Sequence, residues 1–177
     1  MYAMLENDCI TLGSLSGSRD EFISGIDDEE LCRMYGFSYP PDGLRIFERF
    51  TGLHDAYGIF RQSDGKLVGF ILSVNPELPD ECQKNLPSNG RTLAYAIFPQ
   101  YQRKGYMYSA LNTLISNLFD EKEIDYIHCG RFDFNEKSAR LLDKLGFEMF
   151  GTHCFKEKTI VDEILLKKKD EKSMDLT

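Results

Sequence analysis

The residues best suited to chemistry stand together in Gln102-Arg-Lys-Gly-Tyr-Met107. This basic, glycine-bearing loop runs into a stretch whose apolar residues Met107, Ala110, Leu111, Leu114, Leu118 and Phe119 recur at helical spacing. The first amide N–H groups of such a helix have no carbonyl partners inside it and carry a partial positive charge. Gly105 lets another molecule come close to that backbone. The spacing therefore predicts a socket for an anion, best matched by phosphate or pyrophosphate. Arg103 and Lys104 in the loop, with Lys137 and Arg140 further on, add local positive charge to a chain whose formal net charge is −8. By itself the socket is not specific. It lacks both the G-x-x-x-x-G-K-[ST] of a P-loop and the G-x-G-x-x-G of a dinucleotide fold.

The elements that must position this loop are legible on either side. Leu93, Tyr95 and Ile97 alternate with Ala94, Ala96 and Phe98, so both faces of the segment are apolar. That is the pattern of a strand covered on both sides. Pro99 cannot donate to a ladder and ends it. Residues 124–129 form a second short run rich in strand formers. A helix follows, with Asn135 as its N-cap and Ala139, Leu142 and Leu145 on one face. Gly146 is the expected C′ residue, and Phe147 folds back onto the last turn.

Elsewhere, residues 9–15 read as a strand. Ser18 caps a helix from Arg19 that Gly25 interrupts, and Asp27 or Asp28 caps a second helix toward Met34 and Tyr35. Residues 44–50 have helical spacing. Segments 56–61 and 66–74 flank Asp64-Gly65, a hairpin signal that requires positive φ. Residues 75–89 form a loop, and 150–155 and 159–166 an antiparallel pair around Lys156-Glu-Lys158. The pattern predicts one domain over residues 1–166 and a polar tail over 167–177.

Taken together, the segments resemble the GCN5-related N-acetyltransferases (the GNAT family). Gln102 and Gly105 match the first and central positions of motif A, Q/R-x-x-G-x-G/A, and Met107 departs from its last position. The string from Asn135 to Phe147 is similar to motif B. The resemblance spans roughly Thr92 to Leu166, and its "KGYM" looks like the branch that includes ribosomal-protein N-terminal acetyltransferases. It implies an α/β (α+β) fold: a mixed, mostly antiparallel sheet of six to seven strands with helices on both faces. It also implies acetyl-coenzyme A as co-substrate, its pyrophosphate on the loop and its pantetheine arm pairing with the motif A strand in a V-shaped gap. On that basis the cofactor-binding residues are Ala96, Ile97, Phe98, Gln102, Arg103, Lys104, Gly105, Tyr106, Met107, Asn135 and Ser138. Phe98 and Tyr101 line the gap or are core, with core favoured for both.

The implied reaction moves an acetyl group to a primary amine by direct attack. It needs a route for the amine's proton, fixed donors for an oxyanion and a partner for the departing thiolate. A backbone N–H near Ile97 or Phe98 is the natural oxyanion donor. Many relatives carry a glutamate where this chain has Thr92, and a tyrosine acid where it has Leu142. Ser138 is therefore the first candidate for the thiolate partner, and Tyr95 a substrate-side group. Glu77, Glu81 and Asp42 lie in loops that could reach an acceptor. A GNAT-fold module that binds coenzyme A without turnover is the alternative.

Composition narrows the rest. The chain of 177 residues is 42% hydrophobic and 28% charged, ordinary for a globular domain. No apolar run approaches the ~20 residues of a membrane span, and the N-terminus does not read as a signal peptide. Its acidity argues against nucleic acid as a partner and mildly favours a cationic acceptor, a small molecule or a protein N-terminus. Cys9, Cys32, Cys82, Cys129 and Cys154 form no C-x-x-C pair, and His54, His128 and His153 are scattered, so no metal is expected. The thiols read as reduced, in a cytoplasm. A monomer or homodimer is expected. His128 with Cys129, and His153 with Cys154, point to opposite strand faces and cannot act as dyads.

Overall fold

The computed structural model describes residues 5–6, 8–52, 55–76, 78 and 83–168. Glu77, Glu81, Cys82, His54 and most of the expected tail lie outside these. An eight-stranded sheet runs in the order β1-β2-β3-β4-β5-β6-β8-β7. The strands are β1 Leu5–Glu6, β2 Ile10–Ser14, β3 Ala56–Arg61, β4 Leu67–Val74, β5 Gly90–Ile97, β6 Tyr126–Phe132, β7 Glu148–Phe155 and β8 Lys158–Leu166. The helices among the described residues are α1 Arg19–Ile26, α2 Glu29–Tyr35, α3 Gly43–Thr51, α4 Tyr106–Glu121 and α5 Glu136–Lys144. None is long and apolar enough to cross a membrane.

The sheet exceeds the expected six to seven strands because β1, two residues long, pairs Leu5 with Leu12 beyond the first strand read from the sequence. A second correction concerns Gly25. It does not interrupt α1 but lies inside it, where a Cβ would fall 2.5 Å from the Phe98 ring. The glycine allows close approach rather than breaking the helix. Ser18 makes no side-chain cap bond there, whereas Asp28 caps α2 by accepting from the Leu31 N–H. The Asp64-Gly65 hairpin forms, with Gly65 at φ 68° and Asp64 bonded to Arg61.

Two apolar layers cover the sheet. On one face Ile71, Leu93, Ile127 and Cys129 pack against Leu111, Leu114 and Leu118 of α4 and Leu142 of α5. On the other, Phe70, Leu72 and Phe98 pack against Phe22, Ile26, Leu31, Phe47 and Phe50 of α1, α2 and α3. Every sheet pairing is antiparallel except β5 with β6. That parallel pairing holds only over Gly90↔Tyr126, Arg91↔Ile127 and Thr92↔His128. Beyond Thr92 the two strands part. The segment 94–97 is consequently half-buried rather than sealed as its apolar pattern predicts.

Candidate active site

Backbone alternation decides what the opening between β5 and β6 offers. The Phe98 N–H donates to the Val68 carbonyl of β4 at 2.9 Å. The Asn89 carbonyl faces the other way and accepts from Asp125, and the Ile97 carbonyl accepts from Gln102 Nε2 at 3.3 Å. Odd-numbered residues of β5 therefore turn their backbone groups toward β6. Where β6 has swung away, Tyr95 and Ile97 present an edge that pairs with no strand among the described residues, the Ile97 carbonyl being held by Gln102. Of the two expected oxyanion donors, the Phe98 N–H is spent on β4 and the Ile97 N–H faces the opening. The Phe98 side chain is buried in the second core layer, 1% exposed, and does not reach the cleft.

After Pro99–Tyr101, a single 3-10 turn, the chain crosses Arg103 at φ 62° and Gly105 at φ 78°. The positive φ at Gly105 starts α4 with no side-chain cap. The first N–H groups of α4 are left without an intrahelical partner, as expected of an anion socket. A Cβ at Gly105 would meet nothing within 4 Å, so the space over the loop is open. Arg61, stacked 5.3 Å over the Tyr101 ring, supports the loop from β3.

Ser138 enters from α5. Asn135 caps that helix by accepting from the Ser138 N–H at 3.1 Å, while Gly146 at φ 85° ends it and Phe147 donates back to the Leu142 carbonyl. Capping fixes the first turn, and the turn aims Ser138 Oγ at the Tyr95 hydroxyl, 2.8 Å away. Burial raises the Tyr95 phenol well above its ordinary range, as does the buried Cys129 nearby, so it is a neutral hydroxyl. Leu142, at the position where many relatives have a tyrosine, is 0% exposed and points into the core.

These parts border one cleft of about 870 Å³. Every residue expected to hold the cofactor lines it except Phe98, and Tyr95 and Tyr101 line it too. Lys137 bonds Glu30 at 3.1 Å and Arg140 bonds Glu136 at 2.9 Å. Among the described residues, Arg103 and Lys104 make no salt bridge, which leaves their charge to the loop. The far wall is built from Asp28, Glu30, Leu31, Met34 and Tyr35 of α2 and its cap; the family resemblance implies that residues 19–51 set acceptor specificity, but the sequence singles out none of these five as a site residue. The cleft is thus bounded by elements from both faces of the sheet. Nothing in the local pattern of α2 signals this, because its role depends on where β5 and β6 separate.

The profile of the acetyltransferase (GNAT) domain matches residues 19–148. The chain belongs to the GNAT acetyltransferase family. It is 25% identical over 160 residues to the uncharacterized N-acetyltransferase YoaA of Bacillus subtilis (strain 168), covering 85% of this chain and 86% of that one. Its fold is shared with an acetyltransferase (GNAT family) from Bacillus anthracis at TM-score 0.78 and 14% identity, covering 93% of this chain and 98% of that one. The ribosomal-protein-S5-alanine acetyltransferase from Vibrio fischeri is also similar, at TM-score 0.71 and 17% identity, covering 93% and 97%. For this GNAT acetyltransferase, then, motifs A and B lie on opposite walls of the cleft, joined by Tyr95 and Ser138.

Proposed function

We propose that this acetyltransferase moves the acetyl group of acetyl-coenzyme A to a primary amine by direct attack. The observation that carries the reading is the cleft itself. It joins a capless helix N-terminus at Gly105 to an open strand edge at Tyr95 and Ile97. The donors suit a pyrophosphate at one end and an extended amide-bearing arm along the other. Gln102 to Tyr106 hold the phosphates, and Tyr95 to Ile97 hold the arm. The Ile97 N–H stabilises charge on the carbonyl oxygen under attack. In the Tyr95–Ser138 pair, if Tyr95 donates to Ser138, the Ser138 hydrogen is free for the departing sulfur. The acceptor amine approaches past α2, where Asp28 adds negative charge to the wall and Glu30 is paired with Lys137. The setting is the cytoplasm, with reduced thiols.

Calorimetric titration with acetyl-coenzyme A, with a Gly105→Asp control, tests the reading. Micromolar-range binding that disappears in the control, followed by thiol release with one of a panel of amines, supports it. Absence of binding to the wild type sinks it.

A further inference from the structure

A buried polar chain that the cleft does not include crosses the last four strands of the sheet. Thr92 Oγ1 lies 2.9 Å from His128 Nδ1, and His128 Nε2 lies 2.9 Å from Asp162 Oδ1. Asp162 Oδ2 in turn lies 2.7 Å from His153 Nδ1. His128 is 4% and Asp162 1% exposed, in a layer otherwise made of Leu78, Tyr126 and Ile164. Burying these groups is costly unless each is hydrogen-bonded, and here each is.

The place of the chain in the fold is specific. Thr92 and His128 are the last residues paired before β5 and β6 part. Thr92 is half-buried, and Ala94 and Ala96 follow it on the same face of β5 with side chains too short to close the opening. The Tyr95–Ser138 pair lies on the opposite face of the same strand. The polar chain therefore ends where β5 and β6 part, on the α1–α3 face and next to the cleft-lining segment 95–97, while the hydroxyl pair lies on the α4–α5 face.

We propose that Thr92 and His128 form a proton relay that drains the acceptor amine, with Asp162 and His153 as positioning residues. The inference rests on the acetyl-transfer reading. Asp162 fixes the tautomer. Burial pushes its carboxyl up, but hydrogen bonds from His128 and His153 outweigh that and hold it below its ordinary range, hence ionised. An ionised carboxylate only accepts, so His128 donates from Nε2 and keeps Nδ1 as the acceptor for the Thr92 hydroxyl. As the amine attacks, its nitrogen loses a proton to a file of bridging waters that runs along β5, past Ala96 and Ala94, to Thr92. The last of these waters passes a proton to Thr92 Oγ1, and Thr92 passes its own to His128 Nδ1. The imidazolium is balanced by Asp162, and the proton returns to solvent through Thr92 when product leaves. Among the described residues, the titratable groups around His128 are Asp162 from β8, His153 from β7 behind it and Tyr126 on its own strand. Arg131 and Glu163 pair on the opposite sheet face.

The test compares thiol release against pH, from 6 to 9.5, for wild type, Thr92→Val, Thr92→Ser and His128→Gln, using an amine the wild type acetylates. Thr92→Val keeps the shape and removes only the hydroxyl. It is expected to lower kcat about 30-fold at pH 7, the loss shrinking to under about fivefold at pH 9.5, where more of the acceptor is already unprotonated. His128→Gln follows the same course, and Thr92→Ser stays within about threefold of wild type at every pH. The KM for acetyl-coenzyme A moves less than about twofold throughout. A Thr92→Val profile parallel to wild type overturns the relay alone. A wild type that binds acetyl-coenzyme A but acetylates no amine overturns the transfer reading, and the relay with it.

Discussion

The Tyr95 hydroxyl and Ser138 Oγ stand 2.8 Å apart across 43 residues of chain, and they tie the motif A strand to the first turn of the motif B helix. Two hydroxyls in series hold one hydrogen for the bond between them and leave another to point at a third atom. Ser138→Ala is expected to slow transfer about tenfold with acetyl-coenzyme A affinity little changed, because the lost bond is made mainly to the leaving sulfur. Tyr95→Phe is expected to do less alone. A double-mutant cycle on kcat should give a coupling of about 1 kcal/mol. Strict additivity would mean that the two side chains act separately.

Gly69 governs how β5 sits against β4. A Cβ there would fall 2.3 Å from the Ala96 carbonyl oxygen, a backbone atom that cannot swing aside. Gly69→Ala must push β5 outward beside its open edge. We expect a loss of about 2–3 kcal/mol in urea unfolding and at least a tenfold weaker acetyl-coenzyme A Kd where the variant is folded. Unchanged affinity would show that the open edge does not bind the arm.

Gly25 does the same for α1. Its added methyl would overlap the Phe98 ring, which is held against Phe22 and Phe70. The gain in helix propensity from Gly25→Ala is about 1 kcal/mol, smaller than the overpacking it creates. The net expectation is a loss of about 2 kcal/mol, or roughly 6 °C in Tm for a domain of this size. A calorimetric scan decides it.

Acid should find Asp162. Its lowered carboxyl pKa means that the folded state holds the ionised form more firmly than the unfolded chain does. That stability is fully present above the ordinary carboxylate value of about 4 and is lost as pH falls through the lower folded value. Asp162→Asn removes the carboxylate between two imidazoles and is expected to cost about 3 kcal/mol at pH 7. Its stability should then depend less on pH between 5 and 2. Circular dichroism across that range measures both, and an unchanged acid slope would show that Asp162 does not drive the acid transition.

Local chemistry was legible without coordinates. Gly105 at the mouth of an apolar-periodic helix, Asn135 and Gly146 at the two ends of another, and Asp64-Gly65 between two strands each settle their conformation from near neighbours. The glycine loop that opens α4 and the motif B cap could therefore be read as local conformations. Periodicity yields one strand too few because a pair as brief as β1 carries none, and Gly25 reads as a break because its partner, Phe98, is 73 positions away. Other features depended on which strands lie side by side. The order β6-β8-β7 sets Asp162 beside both His128 and His153, and the parting of β5 from β6 after Thr92 opens an edge that an apolar run hides. The amino-acid sequence by itself determined the elements and the loop, because caps, turns and periodicity act over a few residues. Only the tertiary structure decided the Tyr95–Ser138 pair, the wall supplied by α2 and the Thr92–His128–Asp162–His153 chain, because each joins residues that only the packing of the sheet brings together.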